Sequence, residues 1–270
     1  MCAGKFVRRV AVCACALLSA VIFSLSAPAD TIPVTLAGAN VVYEDIVESS
    51  HAGDPEPLYG PPSVIGDSLV FYPTGFFAQS GSSGGVDLTD GLLKFRLKAA
   101  DGFGITSLQF SDFGGYSLAG IAGATGIVQV STPAVIEITK VDGVALGSSI
   151  LVSPTRTYTN LIPSGPTSGQ DSLANYPPFS LVSNDWTTTL TFDIAGALAA
   201  KGISGMATEL KYSMDDILGA LTSQGAVASI DKKRVAIDPT VEPVPEPAAL
   251  VLAFAAGALG LVYTGRRRVS

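Results

Sequence analysis

Leu93-Lys94-Phe95-Arg96-Leu97-Lys98-Ala99 alternates apolar and cationic side chains without a break. Successive side chains of an extended strand point to opposite faces, so Leu93, Phe95, Leu97 and Ala99 share one face and the three cations share the other. A helix would scatter those cations around its circumference. The stretch therefore reads as a half-buried strand, the pattern of an antiparallel sheet with one face on a core.

The same period recurs further along. Leu190, Phe192 and Ile194 alternate with Thr189, Thr191 and Asp193, and Met206, Thr208, Leu210, Tyr212 and Met214 with Ala207, Glu209, Lys211 and Ser213. Residues 64–72, 105–113, 127–130, 135–141 and 226–230 are further strand candidates. Asp90-Gly91, Asp101-Gly102, Gly114-Gly115 and Asp142-Gly143 read as the turns between strands. One short helix is expected over 194–201, with Asp193 as N-cap and Gly202 just past its end. The Pro-, Gly- and Ser-dense stretch 160–178 reads as a long surface loop. The fold class expected is mainly β, an antiparallel β-sandwich of jelly-roll kind. It is flanked by an N-terminal signal peptide and a C-terminal transmembrane helix.

Composition narrows the function classes. All three cysteines (Cys2, Cys13, Cys15) lie in the first fifteen of 270 residues, and His51 is the single histidine. A disulfide framework, a thiolate metal site and a cysteine nucleophile are thereby excluded from the body. Between residues 30 and 247, ten Lys and Arg face twenty-three Asp and Glu, a net charge of −13. Such a body repels phosphate backbones, so no nucleic-acid partner is expected.

The two ends read as addresses. Lys5, Arg8 and Arg9 precede an apolar run over 10–25, and Ala27-Pro28-Ala29 places small residues where signal peptidase cuts, giving a signal peptide over 1–29. The body follows over 30–240, then a Pro-rich linker and motif over 241–247. Glu242-Pro243-Val244-Pro245 reads as a stiff spacer. Residues 248–264 carry no charge, and residues 265–270 include Arg266, Arg267 and Arg268. At about 1.5 Å per residue the uncharged run spans roughly 25 Å, the short end of a membrane-crossing helix. The arginines after it favour a cytoplasmic tail and leave the body outside.

Val244-Pro245-Glu246-Pro247, the apolar run and Arg266-Arg267-Arg268 together resemble the PEP-CTERM sorting signal. The resemblance covers 244–270. It implies an exosortase, a membrane-embedded cysteine transpeptidase, as a partner besides signal peptidase and the membrane. It also implies cleavage near the motif and delivery to the cell surface or extracellular matrix. More loosely, the body is similar to the single-domain sandwich ectodomains that precede such tails.

No constellation in the body supports an enzyme. Gly81-Ser82-Ser83-Gly84-Gly85 fits G-x-S-x-G, but a nucleophile elbow needs a strand before it and a helix after it, and Val86-Asp87-Leu88-Thr89 starts no helix. No catalytic residue and no metal ligand is assigned, and no cofactor is expected. Structural calcium is the one option left open, with Asp87 and Asp90, Asp215 and Asp216, and Asp112 as oxygen donors. The function expected is a non-catalytic surface or matrix protein with a structural or adhesive role. Its rivals are a carbohydrate-binding module for extracellular polysaccharide and a secreted hydrolase with two carboxylates across a cleft. For the module, Tyr59 and Tyr176 are the aromatics expected at the surface, because they sit in Pro- and Gly-rich segments.

Overall fold

The computed structural model describes residues 34–51 and 53–244. The signal region with Ala27 and Ala29, the motif residues Pro245, Glu246 and Pro247, the apolar run and Arg266 to Arg268 lie outside the described residues.

Chain order runs β1 (Leu36–Ala37), β2 (Val41–Ser49), β3 (Ser63–Ile65), β4 (Ser68–Phe71), β5 (Phe77–Ser80), β6 (Gly85–Ala99), β7 (Phe103–Gly120) and β8 (Gly126–Ser131). It continues with β9 (Ala134–Val141), β10 (Val144–Val152), β11 (Thr155–Thr159), β12 (Ile162–Pro163), β13 (Ser168–Ser172) and a 3-10 turn, Leu173–Asn175. Then come β14 (Leu181–Asp193), helix α1 (Ile194–Ala200), β15 (Ala207–Thr222) and β16 (Ala226–Pro243). Among the described residues every strand pairing is antiparallel, within one 16-stranded network.

That network folds back on itself. One layer places β6 between β2 and β15, with β8 and β9 sharing the other edge of β15. The facing layer runs β11, β14, β7, β16, with β4 and β5 sharing the outer edge of β16. The layers meet where Ala207 of β15 pairs with Ile105 of β7. The result is a mainly β, antiparallel body that nearly closes as a barrel. Among the described residues no helix is long and apolar enough to cross a membrane.

The opening stretch behaves as its alternation requires. Leu93, Phe95 and Leu97 are buried, Lys94 is exposed, and Arg96 and Lys98 are half-buried. They pair across the ladder with Met214, Tyr212 and Leu210. Phe95 and Tyr212 stack with ring centroids 4.7 Å apart. On β15 the alternation holds from Leu210 onward but reverses before it, so Ala207 and Glu209 turn inward while Met206 and Thr208 do not. The register against β9 shifts at Glu209, and such a bulge flips the faces on one side of it. Glu209 remains charged there because Lys140 lies 2.8 Å away.

Two expected turns are not turns. Asp90-Gly91 lies inside β6 and Gly114-Gly115 inside β7. These glycines serve close approach. A Cβ on Gly114 would sit 1.9 Å from the Asp231 carbonyl oxygen and 2.7 Å from the Trp186 ring. One on Gly91 would sit 2.6 Å from Phe76. Asp142-Gly143 does turn the β9–β10 hairpin, with φ of 47° and 77°, the left-handed pair that tight hairpins use. Residues 64–72 form the β3–β4 hairpin rather than one strand, and 160–178 holds β12, β13 and the 3-10 turn rather than one loop. Helix α1 forms as expected, with the Asp193 carboxylate accepting from Gly196 N–H at 2.8 Å.

The last strand overrides the linker expectation at its start. β16 runs through Glu242 and Pro243, which pair with Gly104 and Phe103, and Val244 N–H donates to Gly102 at 2.8 Å. At the same end Ala100 N–H donates to Asn40 at 2.8 Å. The body's first strands and its last described residue therefore gather at one pole, beside the β6–β7 turn. β7 and β16 then run paired, through two register shifts, to the opposite pole, where Gly120 pairs with Ala226. Eighteen extended residues reach on the order of 55 Å before twist.

Candidate functional site

Three long strands each place one charged residue on the core-facing phase of an otherwise apolar series. On β7 the inward series is Leu108, Phe110, Asp112; on β15 it is Tyr212, Met214, Asp216, Leu218; on β16 it is Ala226, Ala228, Ile230, Lys232. A bulge after Lys232 resets the phase of β16, so Lys232 and Val235 both point inward while Lys233 and Arg234 point out. The three inward charges converge. Lys232 Nζ lies 2.6 Å from Asp112 Oδ2 and also contacts Asp216 Oδ2, and all three side chains have 0% exposure.

The walls of this centre are aromatic. Lys232 Nζ stands 4.4 Å from the Phe76 ring centroid and 5.5 Å from that of Tyr59, close enough for the ring faces to attract the cation. Tyr59 is fully buried, the reverse of the surface position expected for it, and its hydroxyl donates to Gly91 at 3.0 Å and reaches Asp216 Oδ2 at 3.5 Å. It lies in a loop, but its ring packs in the core against Phe71 and Phe76. The second oxygens, Asp112 Oδ1 and Asp216 Oδ1, are buried without a hydrogen-bond partner.

Two carboxylates and one ammonium leave one negative charge in excess inside an apolar wall. Burial pushes the Asp112 carboxyl well above the ordinary carboxylate range. Lys232 opposes that rise and the neighbouring Asp216 adds to it. A proton on Asp112 removes the excess charge, which a low-dielectric interior penalises heavily. The same burial and the same two carboxylates drive the Tyr59 and Tyr212 hydroxyls upward. The centre is therefore a charged cluster sealed from solvent and closed to any substrate from outside.

A second carboxylate is treated in the opposite way. Asp171 on β13 accepts from the Tyr116 and Tyr176 hydroxyls, each at 2.6 Å, from Asn175 Nδ2 at 2.7 Å and from Ser172 N–H at 2.8 Å. Burial alone would raise its pKa, but these donors outweigh burial and hold it below the ordinary value. The cluster pins the segment 172–180 at the pole opposite Val244. There a cleft of about 330 Å³ is lined by Ile121, Leu173, Tyr176, Pro177 and Phe179. Phe179 is 72% exposed. Tyr176, expected at the surface, does line this cleft, although its hydroxyl is spent on Asp171.

The calcium donors named from the sequence have other partners. Asp112 and Asp216 are engaged by Lys232, Asp87 accepts from Gln79 N–H at 2.7 Å, and Asp90 accepts from Ser50 and His51. Among the described residues no three His, Cys, Asp or Glu side chains converge in a metal-holding arrangement. Gly81-Ser82-Ser83-Gly84 is the turn between β5 and β6, with a strand on each side.

The convergence of Asp112, Asp216 and Lys232 was missed in the sequence, yet it left a mark there. Each is a charge at a position where the period-2 pattern demands an apolar residue. What the pattern cannot show is that three such positions, on strands far apart in sequence, face one another.

No protein-family model matches the chain, and no curated protein matches it. Solved structures similar over most of their length include the family 11 xylanase from Neocallimastix patriciarum, 10% identical, covering 79% of this chain and 98% of that one, with a TM-score of 0.19. A family 30 carbohydrate binding module is 10% identical over 72% of this chain and 93% of its own, with a TM-score of 0.20. The family GH12 endoglucanase 3 of Trichoderma harzianum is 10% identical over 78% and 96%, with a TM-score of 0.17. At these TM-scores the likenesses carry no argument.

Proposed function

We propose that this chain is an exported, non-catalytic protein of the cell surface or extracellular matrix, presented to the exterior from its C-terminal end. In this reading signal peptidase cuts after Ala29, and the 248–264 segment with Arg266 to Arg268 holds the chain at the membrane. An exosortase-type transpeptidase then acts at Val244-Pro245-Glu246-Pro247. The observation that supports it best is the polarity of the body. Val244, which opens the motif, is bonded beside the β6–β7 turn, while the exposed cleft with Phe179 lies at the far end of β7 and β16. A body held by that motif would keep its cleft away from the membrane. The best-formed carboxylate pair, Asp112 and Asp216, is sealed from solvent, which favours a structural role over hydrolysis.

Surface protease accessibility in a host with an exosortase tests the reading. The body is expected outside and processed, and Glu246→Ala is expected to accumulate uncut in the membrane. A cytoplasmic body, or unchanged processing of Glu246→Ala, overturns it.

Polysaccharide binding is the second reading. Phe179 beside Tyr176, on the rim of a cleft, offers a sugar ring an exposed apolar platform.

A further inference from the structure

We propose that Lys232 and Asp216 become joined by an intramolecular amide bond, with Asp112 as the acid that moves the protons. Three observations carry this. First, the reacting groups are already in contact: Lys232 Nζ touches the Asp216 carboxylate and stands 2.6 Å from Asp112 Oδ2. Holding the amine and the carboxyl in contact supplies the orientation from which an intramolecular reaction gains most. Second, the pocket is sealed and partly aromatic, with all three side chains at 0% exposure and Lys232 Nζ against Phe76 and Tyr59. Excluding water favours condensation and protects the product from hydrolysis. Third, one oxygen of each carboxylate is buried without a partner. A purely structural ion pair would be expected to satisfy them, whereas an amide disposes of one Asp216 oxygen and gives Asp112 a carbonyl to donate to.

The step balances. The Lys232 ammonium passes one proton to the Asp216 carboxylate, leaving a neutral amine and a neutral acid. The Nζ lone pair attacks Asp216 Cγ, forming the C–N bond, while Asp112 donates its proton to the Asp216 oxygen. Asp112 takes a proton back from nitrogen and delivers it to the departing hydroxyl. The C–O bond breaks, one water leaves, and the remaining C–OH passes its proton to Asp112, so the product is a neutral amide and Asp112 ends protonated as it began. No oxidant or cofactor enters. The upward push of burial on the Asp112 carboxyl suits the role of acid.

Roles divide by topology. Asp112 lies on β7, which is already laddered to β16 along its whole length, whereas Asp216 lies on β15, in the facing layer. An amide from Lys232 to Asp216 therefore ties the two layers together through the core. In a body without cysteine it supplies a cross-link that no reductant can open.

The test is the mass of the full chain, expressed with its own ends and measured after denaturation, followed by peptide mapping. The purified protein is expected about 18 Da lighter than the sum of the residues it retains, one water lost in amide formation. Tandem mass spectra are expected to show a branched peptide joining Lys232 to Asp216. Asp112→Ala is expected at full mass, with circular dichroism confirming a folded β body. A wild-type chain at full mass, with Lys232 and Asp216 in separate linear peptides, overturns the proposal without reliance on any variant. A branch at Asp112 overturns the assignment of roles.

Discussion

Asp171 and Asp112 show how one residue type serves opposite ends in one body. Asp171 is ringed by four donors that hold its pKa below the ordinary value, whereas burial pushes the Asp112 carboxyl well above it. Asp171 yields a pH prediction. Its folded pKa is depressed, so its stabilising contribution is present above the unfolded carboxylate value and lost as pH falls through the folded one. Asp171→Ala is expected to cost about 1–3 kcal/mol near pH 7, through stranded Tyr116 and Tyr176 hydroxyls. That gap should narrow as both proteins are acidified below the depressed value. Urea midpoints for the two proteins at neutral and acid pH check it; a gap constant with pH would refute the charged-acceptor role.

At the scale of elements, β7 is the hinge of the architecture. It pairs with β16 on one edge and β14 on the other, and Gly114 lets the Trp186 ring and the Asp231 carbonyl close on its backbone. Trp186 Nε1 donates to Asp231 at 3.2 Å, which a displaced ring could not do. Gly114→Ala is expected to destabilise by at least about 1–3 kcal/mol, the usual cost of overpacking, and to shift tryptophan fluorescence as the ring moves. Thermal melts followed by that fluorescence check both. By contrast Gly102→Ala, at the β6–β7 turn with φ of 80° and no atom within reach of a new Cβ, is expected to show backbone strain alone and an unshifted tryptophan.

At the scale of the whole molecule, the long antiparallel strands set one pole against the other. Val244 and the β6–β7 turn mark the first, the Phe179 cleft the second. If the cleft is the adhesive face, Phe179→Ala should weaken binding to the producing cell's polysaccharide at least tenfold. Its melting temperature should stay unchanged, because a side chain 72% exposed holds little of the core together. Pull-down with purified polysaccharide reads the first, and unaltered binding would remove the cleft from the polysaccharide reading.

The strand alternation of Leu93 to Ala99, the Asp193 cap of α1 and the Asp142-Gly143 turn were legible because each depends on neighbours within a few residues. Glycine pairs were ambiguous, since a turn and a close backbone approach both demand the missing Cβ; Asp142-Gly143 turns, and Gly114-Gly115 admits a tryptophan. Tyr59 was misplaced because loop composition says nothing about which way a loop folds. By itself the sequence determined a cysteine-free, acidic, antiparallel β body, for that follows from composition and a period of two. Only the tertiary structure decided that Asp112, Asp216 and Lys232 meet. Their strands are brought together by layer closure and by a bulge after Lys232, and side-chain convergence across a core has no local signature in the chain.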